Sequence, residues 1–313
     1  MSVKSFAKKS ALLVMVLMVL VCAGCGRHKT LDEITITYVK SPLNVPSMVE
    51  RNLGIFSKHF GELGIRVNYA EITSGSEQIQ ALESGDVQIL NCVGATSVII
   101  GKANGADVQI LNMYGSSPRA YQMYTGDSSI QKAEDLRGKR IGGPKGTTLH
   151  ELLSAYLQQN GMSLEDVEYV TLSVADAFAA LEAGQIDVAM LAGATAYQAQ
   201  AAGYTCLATG EGLTNGTTLV AVSGLFASDY PELVEVFQRA QQEVLAYIEN
   251  NPEEARKIAA EETGLSADAI EVMYQQYRFY MEPAQADREG LAKTIQFLLE
   301  TDMIETAPEI SFN

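Results

Sequence analysis

Five short stretches of this chain have the composition of an oxyanion cradle: Ser41 with Asn44, Ser74-Gly75-Ser76, Gly94-Ala95-Thr96-Ser97, Lys145-Gly146-Thr147-Thr148 and Gly193-Ala194-Thr195. Glycine lets a backbone approach a ligand closely, and Ser and Thr add hydroxyl donors without bulk. Each stretch lies where a strand hands over to a helix. The first turn of a helix offers unpaired N–H donors at the positive end of its dipole, which suits a small anion. Lys40, Arg119 and Lys145 are the cations best placed to complement one, and Tyr114 ends the strand before the first break in the pattern. The candidate ligand-binding set is therefore Ser41, Asn44, Gly75, Ser76, Thr96, Ser97, Tyr114, Arg119, Lys145, Gly146, Thr147, Thr148, Gly193, Ala194 and Thr195.

Other chemistry has few resources. Gly143 to Thr148 carries its lysine before the glycine, whereas a phosphate-gripping loop needs Gly-Lys-Ser/Thr, and no Gly-x-Gly-x-x-Gly follows the first strand. Of the three histidines, His28 and His59 lie away from the corners. His150, in a helix first turn without an apparent Cys, His or carboxylate partner, is expected on the rim. No Cys/His spacing suggests a metal. We therefore expect no catalytic residue, no metal and no cofactor. A formal net charge of -16, which becomes -19 once the three lysines of the leader described below are removed, argues against nucleic acid and against a basic membrane-binding face.

The elements that must position these corners come in two sets. Ala81 to Thr96 (Ala-Leu-Glu-Ser-Gly-Asp-Val-Gln-Ile-Leu-Asn-Cys-Val-Gly-Ala-Thr) returns, in register, as Ala180 to Thr195 (Ala-Leu-Glu-Ala-Gly-Gln-Ile-Asp-Val-Ala-Met-Leu-Ala-Gly-Ala-Thr). Each copy reads as a helix end, a glycine stop, a buried strand and a Gly-Ala-Thr corner, the way a parallel strand feeds a helix in an α/β domain. Ser173 stands where Ser74 stands in the first half. Breaks at Gly115–Arg119 and Gly210–Gly216 read as crossings between two α/β lobes. Lobe I takes 34–115 plus 217–313 and lobe II takes 116–216. The tail is predicted helical over 231–250, 252–263, 266–280 and 287–301. Two lobes facing each other across a cleft present corners from both sides, so that a ligand held by both stabilises the closed state. Cys92 and Cys206, one in each half, are expected as two buried apolar thiols without a disulfide.

Residues 1–24 read as a leader. Lys4, Lys8 and Lys9 precede an uncharged run from Ala11 to Gly24, too short for a bilayer span of roughly 20 residues. The run ends in Cys22-Ala23-Gly24-Cys25, which resembles a bacterial lipobox with a cysteine at its first position. The resemblance implies cleavage before Cys25, acylation of its sulfur and an extracytoplasmic protein attached to the membrane through that lipid alone. The linker 25–33, fully extended from Gly26, reaches only roughly 30 Å.

Several motifs together are similar to those of a known family: Asp135-Leu136-Arg137-Gly138-Lys139-Arg140-Ile141-Gly142 with Lys145-Gly146-Thr147, Leu164-Glu165-Asp166-Val167-Glu168, Ala180-Leu181-Glu182-Ala183-Gly184, and Phe226-Ala227-Ser228-Asp229-Tyr230-Pro231-Glu232. The chain resembles the substrate-binding lipoproteins of ABC importers for nitrate, sulfonates and taurine. The resemblance implies the two-lobed periplasmic-binding-protein fold of the second topological type, a ligand cleft between the lobes, and a permease with its ATPase as partners of a monomeric receptor. It implies hinge closure on a small anionic organic solute. Binding proteins for a pyrimidine precursor of thiamine share this fold, and a bilobal enzyme or a ligand sensor without a transport role stays open. Many nitrate and sulfonate members continue the second repeat with Trp. This chain has Leu191-Ala192-Gly193-Ala194-Thr195-Ala196-Tyr197 and no Trp at all, so a pocket wall is smaller or differently shaped.

Overall fold

The structure, a computed structural model, describes residues 31–312. The leader, the Cys25 lipid site and most of the linker therefore lie outside the described residues. In chain order the elements are β1 (Glu33–Thr37), α1 (Val45–Leu53), α2 (Ile55–Gly61), β2 (Arg66–Ala70), α3 (Gly75–Ser84), β3 (Ile89–Gly94), α4 (Ala95–Ala103) and β4 (Gln109–Ser116). Next come β5 (Tyr121–Thr125), β6 (Arg140–Gly143), α5 (Thr148–Gln159), β7 (Glu168–Thr171), α6 (Val174–Glu182), β8 (Val188–Ala192), α7 (Ala194–Ala201) and β9 (Thr205–Thr209). The chain closes with β10 (Thr217–Val222), α8 (Gly224–Asp229), α9 (Pro231–Asn250), α10 (Pro252–Thr263), α11 (Ala267–Tyr274), β11 (Arg278–Phe279) and α12 (Gln285–Glu300).

The strands form two sheets, ordered β11-β4-β10-β3-β1-β2 and β7-β6-β8-β5-β9. Reversing the first, without its edge strand, gives β2-β1-β3-β10-β4, the same arrangement as the second. In each sheet three strands run parallel, and a strand of opposite direction follows the third. That reversed strand is β10 in the first sheet and β5 in the second, and each enters directly from a crossing, after Gly210–Gly216 and after Ser117–Ala120. The repeated stretch occupies the third-strand place in both sheets, as β3 and β8. Both strands are almost wholly buried because helices cover both of their faces, which explains their unbroken apolar runs.

Separate apolar cores fill the two sheets. Val98 and Ile99 of α4 pack with Leu219 of β10 and Leu298 of α12 in the first, and Leu149, Leu152 and Leu153 of α5 pack with Met123 and Met190 in the second.

Two tail and helix boundaries differ from expectation. The segment after the first turn, which reads from sequence as one helix over about 47–56, is two helices, because Gly54 adopts a left-handed conformation (φ +66°) that ends the first and starts the second. The helix expected over 266–280 stops at Tyr274. Its remaining residues turn into β11, which pairs with the outer edge of β4 and satisfies backbone groups that a helix would have left exposed there. Phe279 then packs edge-on against Tyr114 at 5.9 Å. Cys206 also departs from expectation: both thiols are free, yet only Cys92 is buried, and Cys206 is exposed because β9 is the edge strand of its sheet.

Candidate functional site

A cleft of about 490 Å³ opens between the two sheets, at the carboxyl ends of their parallel strands. Nine of the fifteen predicted residues line it: Ser41, Asn44, Gly75, Thr96 and Ser97 from the first sheet's side, and Thr147, Thr148, Ala194 and Thr195 from the second's. The starts of α3 and α4 meet closely here. A Cβ placed on Gly75 would sit 2.1 Å from Ser97 Oγ, so this corner requires glycine.

What the corners offer is decided by how their helices are capped. Ser74 and Ser173 accept N–H bonds from Glu77 and Asp176 and so cap α3 and α6. The starts of α4, α5 and α7, at Gly94, Thr147 and Gly193, have no side-chain cap. The Thr147 hydroxyl donates back to Pro144 O at 2.8 Å and the Thr195 hydroxyl to Ala192 O at 2.9 Å. The Asn44 amide donates to Val39 O and Ser41 O, which holds the turn into α1 instead of capping it. Uncapped starts from both sheets thus deliver N–H donors and positive dipole ends to one cavity.

The charge of the lining is as telling. None of its residues is Asp, Glu, Lys, Arg or His. Its two titratable groups stay neutral: burial pushes the Cys92 thiol far up, and Tyr121 is pushed up to about 12, by burial first. The hydroxyls of Ser41, Thr96 and Ser97 make no hydrogen bond among the described residues, and the Thr148 hydroxyl lies against that of Tyr121. The cleft is therefore donor-rich and formally uncharged, with apolar wall segments.

Six predicted residues lie elsewhere. Tyr114 is fully buried below the cleft, where its hydroxyl meets the N–H and Oγ of Ser47 at 3.1 and 2.9 Å and fixes the start of α1. Arg119 is exposed and donates to Gln275 O, facing a separate groove beside Tyr204. Lys145 is exposed, and Ser76 is exposed and tied to Ser74 at 2.9 Å. Gly146 (φ +70°) packs on Met303 of the tail. Gly193 packs on Pro42 from the opposite side of the cleft mouth, where a Cβ would lie 2.7 Å from Pro42 Cβ. The two Gly-Ala-Thr corners are thus alike in sequence and different in backbone, with φ −65° at Gly94 and +61° at Gly193.

His150 is not on the rim. It is 3% exposed, its Nδ1 accepts the Gly146 N–H at 3.3 Å, and its ring lies against Tyr169 and Phe297. Burial, helped by Lys145, takes its pKa down to about 4, so the imidazole is a neutral prop for the Gly146 loop. Two buried carboxyls also lie off the cleft. Glu50 accepts from Phe56 N–H and Tyr69 O–H, Glu151 accepts from Thr294 O–H, and burial raises each to about 7.

Gln78, Cys92, Tyr121 and Thr218 line the cleft without having been singled out as ligand-binding. Cys92 reaches it through a β-bulge: Val93 and Asn91 pair with Leu219 and Val220, leaving Cys92 as the extra residue at φ +75°. A non-glycine residue gives no sequence sign of such a bulge. Tyr121 and Thr218 each follow a crossing, and that position was the available signal.

The profile of the family described as NMT1/THI5 like matches residues 48–255. A Bacillus subtilis (strain 168) protein provisionally named an aliphatic sulfonates-binding protein is 29% identical over 186 residues, 57% of this chain and 55% of that one. The taurine-binding periplasmic protein of Escherichia coli (strain K12) is 30% identical over 155 residues, 50% of this chain and 46% of its own length. The chain thus spans about half the length of the curated relatives it matches. In structure it resembles the periplasmic aliphatic sulphonate binding protein SsuA from Escherichia coli, with a TM-score of 0.79 at 20% identity over 89% of this chain and 90% of that one. The fold is the two-lobed α/β periplasmic-binding-protein fold.

Proposed function

The chain belongs to the NMT1/THI5-like family, and from that premise we propose that it is the extracytoplasmic solute-binding component of an ABC importer, capturing an aliphatic sulfonate or a closely similar monoanion. The observation that carries this reading is the cleft lined by uncapped helix starts and free hydroxyls without a single charged side chain. Such a site stabilises an oxyanion through dipoles and N–H donors. An ammonium group would be desolvated there with no carboxylate to meet it, which disfavours a zwitterion such as taurine. Nitrate leaves most of about 490 Å³ unfilled, a volume suited to a ligand of several carbons.

Closure of the two lobes on the ligand fits the contact of Gly193 with Pro42 across the mouth. Binding without turnover is supported by the chemistry of the lining, whose one thiol is held protonated by burial. A permease and its ATPase are the partners, the receptor acts as a monomer, and the Cys25 lipid ties it to the outer face of the membrane. No helix among the described residues is long and apolar enough to cross a membrane.

Calorimetry on the chain from Gly26 onward should show hexanesulfonate binding at least tenfold tighter than taurine, with nitrate weaker still. Tighter binding of taurine or of a thiamine pyrimidine, or no heat from any of them, overturns the assignment. Cys25→Ala, expressed in full length in a bacterial host, should move the protein from the membrane to the soluble fraction. Retention on the membrane would remove the anchor.

A further inference from the structure

The walls of the cleft are not equivalent. On the first sheet's side, α3 and α4 converge with Gly75, Thr96 and Ser97 at their starts. On the second sheet's side, Tyr121, Leu149, Val174 and Ala192 belong to one continuous apolar cluster that surfaces in the cleft. Uncapped helix starts reach the cleft from both sides, but the unpaired hydroxyls of Ser41, Thr96 and Ser97 gather on the first wall, whereas the Thr147 and Thr195 hydroxyls are tied to backbone carbonyls and the apolar floor lies on the second. Tyr121 is the sole aromatic residue of the lining.

Tyr121 is held in place on the floor by both crossings. It begins β5 directly after the first crossing, and its carbonyl accepts the Gly210 N–H of the second crossing at 2.9 Å. Its ring rests on Gly216, where an added Cβ would lie 2.8 Å from Cε2. Ala192 is its partner across the ladder, so a small residue stands beside the ring and leaves its edge open to the cleft. A ring pinned by both crossings is a rigid end wall.

We propose that the ligand lies with its anionic end on the first sheet's donors and its tail across the second sheet's floor, and that Tyr121 is the residue that determines the tail length accepted. This rests on the reading of the cleft as a site for an organic anion. Each methylene that finds room on the floor should tighten binding about fourfold, and the gain should stop where the ring blocks the tail.

The test is a calorimetric series of straight-chain sulfonates from two to ten carbons, run beside the matching carboxylates. In the wild type, affinity should climb and then level or fall. In Tyr121→Ala the climb should continue for roughly two to four more carbons, since the lost ring opens the length of a few methylenes. Tyr121→Phe should keep the wild-type cut-off, and Thr96→Val should weaken every member alike without moving it. Should the alanine variant fold poorly by circular dichroism, Tyr121→Leu replaces it, with a smaller extension expected. An unchanged cut-off in the folded small-residue variant overturns the role of Tyr121 while leaving the sulfonate reading intact. Binding of carboxylates alone overturns the sulfonate reading, and the cut-off then still decides on Tyr121. Failure of both series to bind the wild type overturns both.

Discussion

Gly193→Val should cost at least a hundredfold in affinity for hexanesulfonate while leaving a folded protein. Gly193 caps α7 at φ +61° and ψ −133°, a conformation close to one that only glycine adopts readily. A side chain there carries strain of order 1–3 kcal/mol. The larger effect is steric. A Cβ would lie 2.7 Å from Pro42 Cβ and 2.9 Å from Pro42 O, and these atoms belong to the opposite side of the cleft mouth. The open protein escapes that clash by keeping its lobes apart, whereas the closed one cannot, so the substitution acts on the conformation that holds the ligand. Combining Gly193→Ala with Pro42→Gly should recover part of the affinity lost by Gly193→Ala alone. Wild-type affinity in Gly193→Val, measured by calorimetry with thermal unfolding as the control for fold, would show that this contact plays no part in closure.

Stability should rise as pH falls from 7.5 to 5.5. Glu50 and Glu151 are buried with pKa values of about 7, above the ordinary carboxyl value of 4.5, so folding takes up protons there. Their contribution is fully present below 4.5 and is lost as pH rises through 7. Over the stated interval each should add ~2 kcal/mol. His150 works in the other direction. With a pKa of about 4 in the fold against 6.5 ordinarily, it opposes folding once the unfolded imidazole protonates, by ~1 kcal/mol at pH 5.5. The net gain of roughly 2–3 kcal/mol should appear as a melting temperature higher by roughly 4–10 °C. Glu151→Gln keeps an acceptor for the Thr294 hydroxyl and removes the titration, so its melting curve should be higher at pH 7.5 and the pH slope cut to roughly a third or less, because His150 then offsets most of the Glu50 term. A melting temperature that falls toward pH 5.5 in the wild type contradicts this account.

Much of the fold was legible because it is built from local signals that repeat. The Ala81–Thr96 and Ala180–Thr195 stretches carry helix stop, buried strand and corner in one segment, and β3 and β8 hold the same place in their two sheets. β11 was not legible. Its residues pair with an edge of β4 far away in sequence, and nothing in 278–279 announces that partner.

The candidate site divides in the same way. The corner residues that line the cleft were legible because backbone donors at helix starts follow from local sequence. Arg119 was drawn toward the ligand by its charge and Lys145 by its charge and its corner, and the structure places both outside the lining, with exposed side chains. His150 was read as a rim residue, although Tyr169 and Phe297, brought from other elements, bury it. Cys92 enters the cleft through a bulge set by its pairing with β10.

By itself the sequence determined two α/β units and their glycine- and hydroxyl-rich corners, because helix starts, strand periodicity and composition are local properties. Tertiary structure alone decided which corners face one another, that the lining is free of charge, and that Gly193 meets Pro42 and Tyr121 meets Gly216. These depend on contacts between residues distant in the chain, and such contacts exist only once both sheets have formed and the crossings have fixed their separation.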